Sequence, residues 1–180
     1  TYEDVSVGAE HACSLSEDGR VQCWGNGEDN RTRVIGEQFK DIDIGLKHSC
    51  SIKANNKVQC WGDNSQAQRC PVDGVLPSVD FETITTGRKH SCGITKDGQI
   101  RCWGKNHFGQ ATPPDNDISE VALSDGRGWG HACILDDNGE AECWGRRRHL
   151  QSIAPDGSFE ELSLGWAFSC ARDSDGKLTC

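Results

Sequence analysis

Residues 11 to 25 read HACSLSEDGRVQCWG, two cysteines ten positions apart around a polar turn, closed by Trp-Gly. The pattern returns as HSCSIKANNKVQCWG from His48, HSCGITKDGQIRCWG from His90 and HACILDDNGEAECWG from His131. A fifth copy, FSCARDSDGKLTC, runs from Phe168 to Cys180. First cysteines follow one another at 37, 42, 41 and 37 residues, so the chain is a tandem repeat.

Each cysteine pair brackets a triplet: Glu17-Asp18-Gly19, Ala54-Asn55-Asn56, Lys96-Asp97-Gly98, Asp137-Asn138-Gly139 and Ser174-Asp175-Gly176. The third residue is Gly four times and Asn once, as a three-residue hairpin loop requires where its last residue takes positive φ. A loop centred on Asp18 sets Cys13 opposite Cys23, Leu15 opposite Val21 and His11 opposite Gly25. Directly opposed β-carbons are close enough to bridge. The spacing therefore predicts five cross-strand disulfides: Cys13-Cys23, Cys50-Cys60, Cys92-Cys102, Cys133-Cys143 and Cys170-Cys180. Each would contribute about 2.5–3 kcal/mol by loop entropy, less any strain.

Strand alternation puts Cys13, Leu15, Val21 and Cys23 on one face and Trp24 on the other. A sheet apolar on both faces needs cover on both, as a propeller blade has between its neighbours. A further strand-like segment precedes each hairpin: TYEDVSVG, FKDIDIG, FETITTG, ISEVALSDG and FEELSLG. The expected architecture is an all-β propeller of five consecutive blades of three or four strands. It forms one domain over 1-180, with repeats near 1-37, 38-79, 80-117, 118-157 and an incomplete 158-180.

Composition narrows the function. The chain has 180 residues, 21 of them Gly, which suits turns rather than long helices. No apolar run is long enough to cross a membrane as a helix. A net charge of −9 argues against nucleic-acid binding. Arg146-Arg147-Arg148-His149 is the one basic run, read as a solvated loop rather than an anion site. Eleven cysteines without CxxC or HxxxH spacing point to disulfides, hence an oxidising, extracellular compartment, not to zinc. Methionine is absent even at position 1, so Thr1 is expected to arise by processing, of a secretory signal or of a longer precursor.

The pattern G-x-x-H-[SA]-C-x-[LI]-x-x-D-G-x-[VI]-x-C-W-G with a following N-x-x-G-Q resembles the repeat of the regulator of chromosome condensation family. Asn106-His107-Phe108-Gly109-Gln110 is the fullest copy of that tail. Cysteines flanking the hairpin resemble the extracellular branch, including Crinkly-type receptor kinase ectodomains and secreted microbial repeat proteins. The resemblance implies a β-propeller, commonly of seven blades. Five units leave two alternatives, a five-bladed ring closed by the N-terminal segment, which is favoured, or a piece of something larger. The family does not fix a function, since its members include an exchange factor, a β-lactamase inhibitor, an ultraviolet-B photoreceptor and ubiquitin ligases.

His11, His48, His90 and His131 share one repeat position and are read as hydrogen-bonding backbone between blades rather than as a metal-binding ring. Phe168 breaks the set in the fifth copy. No nucleophile–base pair departs from the repeat, so no enzyme is expected, and no cofactor. Turn segments such as Asp173-Ser174-Asp175-Gly176 lack the distant Glu of a calcium loop. The residues after each pre-hairpin Gly are Ala9, Leu46, Arg88, Trp129 and Trp166, expected to line one end of the propeller. Trp and Arg are favoured interface anchors. Trp129, Trp166, Arg88 and Arg127, the last from the Ser124–Gly128 insertion, are the candidate partner-binding set, with packing between blades as the alternative role.

Cys70 has no partner in the repeat and is either an intermolecular or reactive thiol or a buried inert one. Asn30-Arg31-Thr32 is a sequon, so Asn30 is a candidate glycosylation site. The leading functional reading is a secreted, non-catalytic, protein-binding propeller. The alternatives are a structural subunit assembled through Cys70 or strand exchange, and a carbohydrate-binding propeller.

Overall fold

A computed structural model describes residues 1–34, 38–69, 78–115, 118–124, 130–147 and 151–180. It holds five antiparallel three-stranded sheets in chain order. Blade 1 is β1 (Tyr2–Val7), β2 (His11–Ser16) and β3 (Val21–Gly25). Blade 2 is β4 (Phe39–Ile44), β5 (His48–Lys53) and β6 (Val58–Gly62). Blade 3 is β7 (Phe81–Thr86), β8 (His90–Thr95) and β9 (Ile100–Gly104). Blade 4 is β10 (Ile118–Leu123), β11 (His131–Asp136) and β12 (Ala141–Gly145). Blade 5 is β13 (Glu161–Leu164), β14 (Ser169–Arg172) and β15 (Leu178–Thr179). Among the described residues no blade has a fourth strand.

The hairpin register is the one the spacing demands: Cys13 faces Cys23, Leu15 faces Val21 and His11 faces Gly25. The third loop residue has positive φ in every blade: Gly19 77°, Asn56 65°, Gly98 79°, Gly139 76° and Gly176 79°. All five bridges are formed, with Cα atoms 4.0 or 4.1 Å apart. The bridge of one blade packs toward the Trp of the next. Cys13 and Leu15 meet Phe39, Ile42, Ile44 and Trp61 in one core, and Cys50, Ile52 and Val58 meet Phe81, Ile84 and Trp103 in another. Two further cores join blades 3 to 4 and 4 to 5.

Five blades thus share four cores, and among the described residues none joins blade 5 to blade 1. The expected five-bladed ring is corrected to an open series. In blade 1 Tyr2, Val5, Val7 and Trp24 are 51–70% exposed, whereas Phe39, Ile42, Ile44 and Trp61 of blade 2 are at most 4% exposed. The opposite face of blade 5 does not complement them. Arg172, paired with Glu160 and Glu161, stands where Leu15 stands in blade 1. Leu178 and Phe168 there are also exposed.

Close backbone approach fixes the junctions near the axis. A β-carbon at Gly8 would lie 2.2 Å from the Gly45 carbonyl oxygen, and one at Gly45 would lie 2.3 Å from that of Gly87. Only glycine lets successive blades approach so closely. Carboxylates reinforce the contact. Asp43 accepts from the Thr86 amide at 2.5 Å and hydroxyl at 2.9 Å, and Asp41 accepts from the Ile84 amide at 3.2 Å. Burial raises the Asp41 carboxyl to about 6 and raises Asp43 as well, with the amide bonds opposing.

Candidate functional site

Blades 1 to 3 start their hairpins from Gly-x-x-His loops at one end of the propeller, blade 5 from Gly165-Trp166-Ala167-Phe168, and the histidine, where present, decides how the loop is held. His11 Nε2 meets Ser49 Oγ at 2.7 Å, His48 meets Ser91 at 2.8 Å, and His131 meets Ser169 at 2.9 Å. The partner is a serine hydroxyl of the following blade, not backbone as the sequence suggested. Ser91 and Ser169 donate onward to the carbonyls of Gln68 and Gln151, so each accepts its hydrogen bond from the imidazole Nε2–H. Burial lowers His48 to about 3 and His90 to about 4, so both rings are neutral near pH 7. The Gln68 carbonyl also accepts from Trp103 Nε1 at 2.9 Å. In blade 2 the same indole bond runs from Trp61 to the carbonyl of Arg31.

His90 departs from this pattern because the following blade 4 has Ala132 where blades 2, 3 and 5 have Ser49, Ser91 and Ser169. Its Nε2 is buried without a hydrogen-bond partner. Ala132→Ser is therefore expected to stabilise the fold by about 1 kcal/mol, by supplying that partner. Urea titration of the two proteins would check it, and a destabilised variant would contradict the assigned junction. Among the described residues no three His, Cys, Asp or Glu side chains converge as metal ligands, and no helix is long and apolar enough to cross a membrane.

The loops themselves surround an open cavity of about 1100 Å³ at this end. Its lining includes Val7, Ala9, Leu46, Lys47, Arg88 and Trp166. Four of the five residues that follow the pre-hairpin glycines, Ala9, Leu46, Arg88 and Trp166, thus share one end, as blade equivalence predicts. Trp166 is 57% exposed, whereas Trp61, Trp103 and Trp144 are buried. Its alternative role as a packing residue between blades is not seen. Trp129, Arg127 and Cys70 lie outside the described residues.

Sequence reasoning missed the cations beside this cavity and the anchoring of its blade 1 edge. Arg31 is wholly buried and binds Glu10 and Asp29 through its guanidinium, fixing the loop that carries Ala9 and Glu10. The available signal is positional, since Arg31 stands where later blades have Gln68 and Gln110. Phe108 is partly exposed, with the Arg146 guanidinium 4.6 Å and the Lys105 ammonium 5.8 Å from its ring centre. Asn30, beside Arg31, is exposed with φ 58°.

A disulfide-stapled β-propeller, its blades linked by histidine–serine bonds, is the class these features define. The Regulator of chromosome condensation (RCC1) repeat matches residues 2–31, 39–68 and 81–110, half of the chain, and the chain belongs to that family. No curated protein matches it significantly in sequence. Among solved structures it is similar to the ectodomain of the receptor kinase CR4 from Physcomitrella patens. The TM-score is 0.79 at 25% identity, over 99% of this chain and 49% of that one. It is also similar to the CRINKLY WD40 ectodomain of Arabidopsis thaliana ACR4, with TM-score 0.75 and 28% identity over 96% and 59%. Yeast RCC1 (Prp20), solved bound to Kap60, shares the fold at TM-score 0.67 and 20% identity over 80% and 43%. The chain thus spans about half the length of the receptor ectodomains it matches.

Proposed function

We propose that this chain is an extracellular, non-catalytic propeller module, its five repeats acting as one domain, that binds a protein partner through the end carrying Arg88 and Trp166. The observation that carries the reading is the exposed Trp166 on an open cavity shared with Arg88 and Leu46, on a scaffold that buries Trp61, Trp103 and Trp144. Trp and Arg in such a setting are typical anchors of interfaces. Trp129 and Arg127 complete the proposed set by their place in the blade 4 loop. Five disulfides and the likeness to two receptor ectodomains support extracellular placement. The yeast relative was solved with a bound protein, which supports protein binding as the use of the fold. A glycan on Asn30 would mark the blade 1 edge as non-interface.

The double variant Trp166→Ala, Arg88→Ala should lose partner capture from the native extracellular fluid while its far-ultraviolet dichroism and disulfides stay unchanged. Undiminished capture would reject this end as the binding face.

A structural-subunit reading is favoured by one observation, the exposed outer faces of blades 1 and 5. Under it, native material would run as a species larger than a monomer, dissociating on reduction if Cys70 is the link. The carbohydrate reading has less support, because Trp61, Trp103 and Trp144 are spent on the cores between blades.

A further inference from the structure

Cations gather beside the Trp166 cavity on a chain that carries 28 carboxylates against 19 Lys and Arg. Lys47 and Arg88 line the cavity itself. Lys89 precedes His90, and its carbonyl accepts the backbone amide of Lys105 at 2.8 Å, so the two loops run side by side. Phe108 then supports both Lys105 and Arg146. Lys47, Arg88, Lys89 and Lys105 make no ion pair with a described carboxylate, whereas at the hairpin end Arg20 pairs with Asp18, and Lys57 with Asp80. Two carboxylates lie among them: Glu10 lines the cavity and binds Arg31, and Asp63 accepts from Ser65 and Gln68 and also feels the charge of Lys89, which leaves Lys47, Arg88 and Lys105 in excess. Burial, then the charges of Lys89, Arg146 and Arg88, lowers the Lys105 ammonium from its usual range, consistent with like charges held together.

Resting on the protein-binding reading above, we infer that this end recognises an acidic polypeptide segment bearing an apolar anchor. The acidic side chains lie on Arg88, Lys89 and Lys105, and the anchor enters the cavity between Leu46 and Trp166. Charge complementarity selects the acidic partner and speeds encounter. The apolar lining selects a polypeptide over a sulfated glycan, which has charge but no apolar side chain to seat there. Nucleic acid offers the charge too, but the net −9 of the chain repels it.

Fluorescence anisotropy with four labelled probes tests this: an Asp/Glu dodecapeptide with a central Leu-Leu pair, the same peptide with Ser-Ser, its Asn/Gln counterpart, and a heparin octasaccharide. The acidic Leu-Leu peptide should bind best and weaken with salt. Lys89→Glu with Lys105→Glu, and separately Trp166→Ala, should each weaken it by about tenfold or more, since like charge across a contact and a lost anchor each exceed 1.4 kcal/mol. No binding at millimolar acidic peptide, or equal binding of the Asn/Gln counterpart, overturns the inference. Heparin binding that ignores Trp166→Ala overturns it in favour of a glycan. Partner capture lost in Trp166→Ala, Arg88→Ala but intact in the lysine reversals would leave the face assigned and the acidic partner rejected.

Discussion

Trp103→Ala is expected to cost about 3–5 kcal/mol of stability, whereas Trp24→Ala costs almost nothing. The two residues occupy the same place in the Cys-Trp-Gly repeat. Trp103 is 4% exposed, stacks edge-on with Phe81 at 6.1 Å between ring centres, and donates its indole N–H to the Gln68 carbonyl. Truncation would open a cavity between blades 2 and 3 and orphan that carbonyl's second bond. Trp24 is 51% exposed and, among the described residues, belongs to no core between blades. Chemical denaturation of both variants measures the contrast. Equal and large losses would mean that blade 1 is covered after all.

Breaking a bridge is the second large effect. Cys50→Ser with Cys60→Ser should cost about 2.5–3 kcal/mol, the loop entropy restored to the unfolded chain. Both sulfurs contribute to the core shared with Phe81 and Trp103, so the loss also loosens the junction of blades 2 and 3. The same change at Cys170 and Cys180 should perturb only blade 5. Cys180 is exposed and belongs to none of the four cores between blades. Reduction of all five bridges should then unfold the chain, because losing five staples costs about 12–15 kcal/mol, at the top of the roughly 5–15 kcal/mol by which domains are stable. Circular dichroism with and without reductant, followed by thiol alkylation and intact mass, reads both effects. Native strand signal surviving full reduction would show that the cores alone suffice.

Much of this architecture was legible because it is local. The ten-residue cysteine interval and its Gly or Asn loop fix register within one hairpin, and alternation then assigns Cys13 and Trp24 to opposite faces. Equivalence of repeats carried Ala9, Leu46, Arg88 and Trp166 to one end. What the residues did not reveal depends on which segments meet across blades. The serines that bind His11, His48 and His131 lie 38 or 43 residues away, and Arg31 is recognisable only once Trp61 is seen to bond its carbonyl. The basic run at Arg146 read as a solvated loop because Lys105 and Phe108, some 40 positions earlier, do not neighbour it in sequence. Ring closure is not legible in the sequence for the same reason, since exposure of Val7 and Leu178 belongs to the arrangement of blades, not to either strand.

The central claim is that one end of the propeller, not its hairpin end or blade edges, meets the partner. Photo-crosslinking reports this directly: a photoreactive phenylalanine replaces Ala9 or Trp166 at the cavity, or Asn55 at a hairpin turn, in the disulfide-intact chain. Illumination in native extracellular fluid should give the same adduct from positions 9 and 166 and none from position 55. Adducts from position 55 alone would contradict the account and move the binding surface to the opposite end.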